Sequence, residues 1–348
     1  MSRQCEKITF VVKLSAAMII GALMCPPAAG DPRCAKCHAA ESRRQPETRM
    51  AHALVRADRC QILHDNPNLS LQSGNYSYSI ARVGGQSIYT VTDGQSLLSI
   101  ALAWAFGAGK VGQTYVYQYK DAWYESRVSF YPEVQSLDLT TGAARAPETI
   151  EQAAGRRISK ANECFSCHAS EAVNAGKLTV SSLTPGVQCE RCHGSAEVHL
   201  KAASGEARKT APMRVLGGMN AEGMSEFCGQ CHGTWSQIVA NGPRGVFNVR
   251  FQPYRLANSK CYDAEDRRIR CTVCHDPHQD AEKATAAYDS KCLACHSRTQ
   301  PAAGARLCKV GKTECVTCHM PKIELPGAHS KFTDHRIRIA RAGEAYPD

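Results

Sequence analysis

The chain has 348 residues, enough for two ordinary domains, and 43% of them are hydrophobic. Its formal net charge is +10, but the basic residues form no polybasic run, which argues against a nucleic-acid-binding protein. Beyond the N-terminal segment, no apolar stretch is long enough to cross a membrane. The composition is unusual in two residue types, with 19 Cys and 13 His. Their arrangement determines most of what the sequence predicts.

Residues 1–30 have the three parts of a secretory signal peptide. Basic residues stand at the start, an apolar run follows at 14–25, and small residues at 28–30 offer a cleavage site. About twelve apolar residues are too few to span a bilayer, so we expect this segment to be removed rather than to act as an anchor. The mature chain is therefore predicted to be periplasmic or extracellular in a bacterium, with no transmembrane span.

The pattern Cys-x-x-Cys-His then occurs seven times, and six of the copies lie between residues 164 and 319. It is the attachment site of a c-type haem: both thiols form thioether bonds to the haem vinyl groups, and the adjacent imidazole binds the iron. Random placement would give on the order of 0.04 copies at this composition. The sequence therefore predicts seven covalently bound haems. The cysteines are Cys34, Cys37, Cys164, Cys167, Cys189, Cys192, Cys228, Cys231, Cys271, Cys274, Cys292, Cys295, Cys315 and Cys318, and the proximal histidines are His38, His168, His193, His232, His275, His296 and His319.

The stretch between the first and second motifs favours β-structure. Apolar and polar residues alternate with a period of two in several segments of 74–132, and we expect one small antiparallel sheet there. Tyr115–Tyr119 and Trp123–Val128 flank a short turn and predict a hairpin. Residues 147–157 change to a helical pattern that leads into the second motif.

Four regions follow from these patterns. They are a signal peptide (1–30), an N-terminal haem 1 segment (31–73), a haem-free β-rich insert ending in a helix (74–157) and a hexahaem domain (158–348). Because porphyrins offer large apolar surfaces, side chains are expected to pack on cofactors rather than mainly on each other. The predicted fold class is a mostly irregular and α multihaem fold with little regular secondary structure, a haem-packed core and a small antiparallel insert.

Six histidines remain for the second axial positions of seven irons. The near match predicts that most haems carry two histidine ligands, an arrangement suited to single-electron transfer. The missing seventh ligand leaves three alternatives: Met or another group, a ligand from a second chain, or an open site. Met50 is a further candidate, because thioether sulfur is another common haem ligand. The six histidines are His52, His64, His199, His278, His329 and His335.

Geometry restricts how these histidines pair. The two axial ligands of one iron approach from opposite porphyrin faces, so histidines three residues apart on one turn cannot flank the same iron. His278 should therefore bind a haem next to the one held by His275, and the same argument applies to His199 after His193. Each such histidine would connect one haem to the next.

Five cysteines lie outside the motifs, two of them in the predicted signal peptide. Cys60, Cys261 and Cys308 remain, an odd number. A disulfide between Cys261 and Cys308 and three unpaired small core residues are both compatible with the sequence.

Three segments resemble the multihaem cytochromes c of the cytochrome c-552/4 (c-554-like) type, whose superfamily includes pentahaem nitrite reductase and hydroxylamine oxidoreductase. The resemblance is specific over 160–340. It implies that His199 and His278 are distal ligands and, by similarity, His335. The Lys-ligated catalytic haem of the nitrite reductases is absent, because every motif here ends in His. The segments are Cys189–Gly194 with His199, Cys271–His278 with the pattern Cys-x-x-Cys-His-Asp-Pro-His, and Cys315–Lys322 with Phe332–Arg336.

The leading hypothesis is an exported electron carrier that passes electrons between redox partner proteins through closely packed haems. A second hypothesis is a multi-electron oxidoreductase that acts on a small nitrogen or sulfur species at one open haem. A third is a subunit of a conductive haem filament that self-assembles, with exposed strand edges as a means of contact. The basic residues are expected to pair with haem propionates rather than with nucleic acid.

Overall fold

The structure, a computed structural model, describes residues 32–143, 146–204, 213–297 and 307–348. The predicted signal peptide lies outside them. Of the described residues, 34% are helical and 24% lie in strands. The predicted fold class, mostly irregular and α with little regular secondary structure, is therefore wrong. The expectation failed because the first half of the chain builds sheets with a protein core of their own, and the motifs of the second half lie on short helices.

Two antiparallel sheets form a β-sandwich over residues 54–157. The strands are β1 (Leu54–Arg56), β2 (Asn68–Ser73), β3 (Tyr76–Val83), β4 (Gln86–Thr92), β5 (Leu97–Ala101), β6 (Trp104–Phe106), β7 (Gln113–Tyr119), β8 (Ala122–Tyr131), β9 (Ser136–Leu139) and β10 (Gly155–Arg157). One sheet has the order β2-β3-β4-β5. The other has the order β1-β6-β7-β8-β10, and β9 also pairs with β8.

The two sheets share one apolar core. Tyr89 from β4 and Tyr117 from β7 are both buried, with ring centroids 6.0 Å apart. The Tyr89 hydroxyl donates to the carbonyl oxygen of Ala154 at 3.0 Å. This bond satisfies a buried polar group and fixes the helix Ile150–Ala154 to the core. Along β4 the side chains alternate between this core and the outer face, as the period of two requires.

The predicted hairpin is confirmed. β7 and β8 pair through the two-residue turn Lys120-Asp121, whose φ angles of 47° and 60° are those of a tight hairpin loop. The prediction of a single sheet over 74–132 is wrong, because the alternating run leaves one sheet after Ala101 and enters the other at Trp104. The helix predicted over 147–157 covers only Ile150–Ala154, since the chain then extends into β10.

The remaining residues form short helices and small hairpins. The helices of the described chain are α1 (Pro32–Ala35), α2 (Ala39–Arg44), α3 (Gln61–Asp65), α4 (Ile150–Ala154), α5 (Ala161–His168), α6 (Cys189–His193), α7 (Glu197–Ser204), α8 (Ala221–His232), α9 (Trp235–Asn241), α10 (Gln252–Ala257), α11 (Cys271–Cys274), α12 (Asp289–His296) and α13 (Cys315–His319). Single 3-10 turns lie at Gln45–Glu47, Ala57–Arg59, Leu216–Gly218, Gly245–Arg250 and Thr285–Tyr288. The later strands are β11 (Ala169–Ser170), β12 (Val173–Asn174), β13 (Lys177–Leu178), β14 (Thr184–Pro185), β15 (Lys322–Leu325) and β16 (Ser330–Thr333).

The second half of the chain contacts the sandwich near its own beginning, at Phe165, and again near its own end, at Gly327. Phe165 of α5 is fully buried against Trp104, Phe106 and Trp123, with ring centroids 5.1–6.3 Å apart. Near the other end, the Thr141 hydroxyl donates to the carbonyl oxygen of Gly327, in the turn between β15 and β16, at 3.2 Å. None of the helices in the described ranges combines the length and the apolar character needed to cross a bilayer.

Candidate haem centres

Six of the seven Cys-x-x-Cys-His motifs lie on or at the end of a short helix. In α5, α6, α8, α12 and α13 the motif forms the last turn and its histidine is the last helical residue, while α11 ends one residue before its histidine. Residues three apart on a helix lie on one face, so the two thiols of each motif point the same way. This is the arrangement that two thioether bonds to one porphyrin require. Attachment at these cysteines stays a prediction.

Three histidine pairs have the spacing expected around a single metal ion. The ring centroids are 6.4 Å apart for His38 and His199, 6.2 Å for His193 and His278, and 6.2 Å for His275 and His335. A metal lies about 2 Å from a ligating imidazole nitrogen, so two imidazoles on opposite sides of one metal have centroids about 6 Å apart. Each pair joins a proximal histidine to a candidate distal histidine and fits an axial pair.

The pairs connect alternate motifs along the chain. His199 follows the third motif and lies beside His38 of the first, and His278 follows the fifth motif and lies beside His193 of the third. His335 follows the seventh motif and lies beside His275 of the fifth. As the steric argument requires, His278 faces an imidazole other than its neighbour His275. The short segments after three motifs therefore bring the first, third, fifth and seventh motifs into one series.

Hydrogen bonds orient several of these rings through Nδ1. His278 Nδ1 lies 2.9 Å from the carboxylate of Asp276, and His335 Nδ1 donates to the carbonyl oxygen of Thr333 at 3.0 Å. The proximal rings of His168 and His319 donate to the carbonyl oxygens of Ala53 and Arg338, at 2.9 and 2.8 Å. Such bonds fix the tautomer and leave Nε2 for a metal. The sequence did not predict these partners, although Asp276 lies inside the motif segment Cys271–His278.

Burial favours the neutral form of three of the paired imidazoles, which is the form that metal ligation requires. Loss of hydration lowers the pKa of His193 and His275 and brings the pKa of His335 to about 4. Burial likewise lowers the pKa of His168 and His232. The Nδ1 atom of His199 is buried without a hydrogen-bond partner in the part of the chain that the structure describes. The spacing of the three pairs and the lowered pKa of His193, His275 and His335 thus fit ligation of haem iron.

Neighbouring motifs contact each other directly. The Cys167 thiol contacts that of Cys231, which joins the second motif to the fourth. The Cys228 thiol contacts that of Cys271, which joins the fourth to the fifth. In the same way Cys292 of the sixth motif contacts Cys315 of the seventh.

The other candidate ligands are placed differently. His329 Nε2 lies 2.6 Å from a carboxylate oxygen of Asp138, and its ring packs on Tyr131 with centroids 4.8 Å apart. The His329 nitrogen that would bind iron is therefore held by Asp138, a residue of strand β9 in the sandwich. His64 is exposed on α3, and His52 is half-buried. Among the described residues, neither forms a ring pair with a proximal histidine. Met50 is half-buried, and its carbonyl oxygen accepts a hydrogen bond from the backbone N–H of Val187 at 2.8 Å.

The remaining cysteines do not form the disulfide left open above. Cys261 and Cys308 are exposed free thiols. Cys60 is buried in the sandwich core, where its thiol donates to Gln113 Oε1 at 2.9 Å and burial raises its pKa. It acts there as a small core residue.

Two comparisons with known proteins found a match, one to a family and one to a fold. The family model described as "Cytochrome c554 and c-prime" matches residues 121–194, which run from β8 through the second and third motifs. The match begins inside the sandwich, although the resemblance was expected only over 160–340. The crystal structure of the outer cell wall cytochrome OcwA shares the fold, with a TM-score of 0.50 and 14% sequence identity, covering 88% of this chain and 79% of that one. No curated protein sequence matches the chain.

The resemblance to a c-type cytochrome family is confirmed by these two findings. Proteins of this class hold haem covalently and transfer electrons to and from redox partners.

Proposed function

We propose that the chain is an exported heptahaem cytochrome that passes electrons through closely packed haems between a donor and an acceptor protein, with bis-histidine ligation at the first, third and fifth haems. The observation that carries this proposal is the series of three histidine pairs with centroids 6.2–6.4 Å apart, each formed by residues from two different motif segments. When bound, the haem irons supply one-electron chemistry.

The protein's own residues have three tasks in this function. The motif cysteines would anchor each macrocycle, and the paired imidazoles would hold its iron and exclude other ligands. Carbonyl and carboxylate groups at Nδ1 set the orientation and basicity of the imidazoles. Because a single short segment carries histidines of two pairs, it would hold neighbouring haems close together, as rapid electron transfer requires.

Export is proposed on two grounds. The sequence begins with the features of a signal peptide, and c-type haems of bacteria are attached outside the cytoplasm. The similar fold of OcwA belongs to a cytochrome of the outer cell wall. We therefore expect the holoprotein in the periplasm or beyond it.

Mass spectrometry and electron paramagnetic resonance of the purified exported protein test the proposal. The mass is expected to exceed that of the cleaved polypeptide by about seven haems. Low-spin ferric signals are expected to dominate the spectrum. A colourless folded product, or a mass without added haem, would overturn the function as a whole.

A second candidate is an oxidoreductase acting on a small nitrogen or sulfur species at one open haem. The contact between His329 Nε2 and Asp138 favours it, because it occupies one of the six histidines available to seven irons. Binding of carbon monoxide or nitric oxide by the reduced native protein would support this candidate. Complete inertness to both gases would exclude it.

Size-exclusion chromatography of the holoprotein tests self-assembly into filaments.

A further inference from the structure

The most deeply buried charges outside the motifs are Arg255 and Asp334. Arg255 lies on α10, Asp334 follows β16, and both side chains are fully buried. The guanidinium binds the carboxylate with two parallel bonds, from Nε to Oδ1 at 2.8 Å and from Nη2 to Oδ2 at 3.0 Å. Burying two charges carries a desolvation penalty, so such a pair persists only with good geometry and further hydrogen bonds.

Those further bonds of Arg255 lead to the C-terminal residues and to Asn248, which also contacts them. Arg255 Nη1 donates to the carbonyl oxygen of Pro347 at 2.9 Å and to Asn248 Oδ1 at 3.2 Å. The Tyr346 ring lies 4.6 Å from the guanidinium carbon, and its hydroxyl donates to the same Asn248 oxygen at 2.7 Å. A single arginine therefore holds the end of the chain against α10.

Asp334 in turn organises residues 334–338, here called the strap. Its Oδ1 accepts the backbone N–H of Arg336 at 3.0 Å, and its Oδ2 accepts Arg338 Nη1 at 2.7 Å. Ser259, two residues beyond α10, adds a second attachment. Its hydroxyl donates to the His335 carbonyl oxygen at 3.2 Å and accepts the Ile337 N–H at 2.8 Å.

The strap serves two candidate haem centres at once. His335 faces His275 of the fifth motif with ring centroids 6.2 Å apart. Three residues later, the Arg338 carbonyl oxygen accepts His319 Nδ1 of the seventh motif at 2.8 Å, and the Arg338 N–H donates to the His319 carbonyl oxygen at 3.1 Å. The position of the strap therefore determines both an axial ligand of one centre and the orientation of the proximal ligand of the next.

We propose that the buried Arg255–Asp334 pair is a positioning pair that holds the strap, keeps His335 on the iron of the fifth haem and so keeps that haem closed to external ligands. The proposal rests on the proposed function, because it takes His335 as the distal ligand of that haem. Neither Arg255 nor Asp334 touches the cofactor in this role. They act through the backbone of the strap.

Holoprotein variants test the pair by spin state and by ligand binding. Arg255→Met removes the charge but keeps an apolar side chain of similar length, and Asp334→Asn keeps the shape of the carboxylate. His335→Ala is the reference for an opened fifth haem. Arg268→Met is the matched control, because Arg268 forms a comparable ion pair with Asp266 at 2.7 Å but is exposed. Only preparations that carry the wild-type haem mass are compared.

The reference variant is expected to convert one haem per chain from low to high spin and to bind one carbon monoxide more than the wild type when reduced. Arg255→Met and Asp334→Asn are expected to give the same signals in a substantial fraction of molecules, and Arg268→Met is expected to match the wild type. If Arg255→Met does not mature with full haem content, the milder Asp334→Asn decides.

Two failures can be told apart. If His335→Ala opens a haem but Arg255→Met and Asp334→Asn both keep the wild-type spin state, the positioning role is overturned and the proposed function stands. If His335→Ala opens no haem, the ligand assignment made under the proposed function is wrong, and the positioning role falls with it.

Discussion

The imidazole rings of His193 and His278 are nearly parallel, with an interplanar angle of 7° and centroids 6.2 Å apart. His193 belongs to the third motif, whereas His278 lies three residues after His275 of the fifth. Under the proposed ligation, one turn of chain carries ligands for two centres, so a change at His278 should affect a haem that its own motif does not hold.

Replacing His278 by Ala tests that relationship. We expect the third haem, and not the fifth, to lose its distal ligand, because His275 remains paired with His335. One high-spin haem per chain should appear in the paramagnetic resonance spectrum. The double variant His278→Ala with His335→Ala should show two such haems. A double variant with one high-spin haem would mean that both histidines serve the same iron.

Asp276 should tune the reduction potential of the third haem. Its carboxylate lies 2.9 Å from His278 Nδ1, and a negative partner makes the imidazole a stronger donor that favours oxidised iron. In Asp276→Asn we expect one component of a spectroelectrochemical titration to move upward by about 59 mV, which corresponds to a tenfold change for one electron. Asp280→Asn is the control, because the Asp280 carboxylate pairs with Arg49 at 3.3 Å. Equal shifts in both variants would point to a general surface-charge effect.

Phe165 should be a major contributor to the attachment of the second motif to the sandwich. It is fully buried among Trp104, Phe106 and Trp123, and it occupies a variable position of its motif, so its loss leaves the attachment residues intact. We expect Phe165→Ala to lower the free energy of unfolding by about 3–5 kcal/mol. The measurement is denaturant unfolding followed by circular dichroism. Val83→Ala, at a site 61% exposed, should change it by less than about 0.5 kcal/mol.

The seventh motif should loosen in acid through Asp289. Its carboxylate accepts the backbone N–H groups of Cys315 and Glu314 at 2.9 and 2.8 Å, and these bonds lower its pKa. A lowered pKa means that the stabilisation is complete above the unfolded value of about 3.9 and is lost as the pH falls below it. The protection factors of residues 314–319 against hydrogen exchange, taken relative to the unfolded chain at the same pH, should fall in that range. Asp289→Asn should exchange faster at neutral pH and show no such acid step.

The apoprotein should keep the sandwich and lose most of the rest. The main apolar cluster, from Ala57 to Ala154, lies entirely within the sandwich, whereas the cluster under β15 and β16 has Val249, Leu325 and Ala328 as its buried members. Without haem, we expect slow hydrogen exchange in residues 54–157 and fast exchange in residues 213–297. Equal protection of both regions would mean that the second half folds on protein contacts alone.

Local sequence signals predicted some features well, for physical reasons. The hairpin at Lys120-Asp121 depends on neighbouring residues, so alternation and turn chemistry were sufficient to find it. The short strands β1 and β10 have three residues each and show no detectable period. The run from Leu98 to Phe106 keeps one period across two sheets, and a pattern cannot show where the chain changes sheet.

Local sequence patterns also could not predict which histidines pair with each other. Sterics excluded His275 as the partner of His278, but the choice of His193 depends on the path of the chain between them. Arg255 gave no signal in the sequence, because its partner Asp334 is 79 positions away. Haem ligation by these residues stays a prediction until the holoprotein is measured.

In all three histidine pairs, the residue that completes the pair comes later in the chain than its proximal partner. Translation and translocation run from the N-terminus, so His38, His193 and His275 emerge first. If each haem is attached as its motif emerges, we expect attachment at these three motifs to precede the arrival of the second histidine, with His335 last. We therefore expect a protein truncated before residue 334 to bind its haems but to leave the fifth haem without its second histidine ligand.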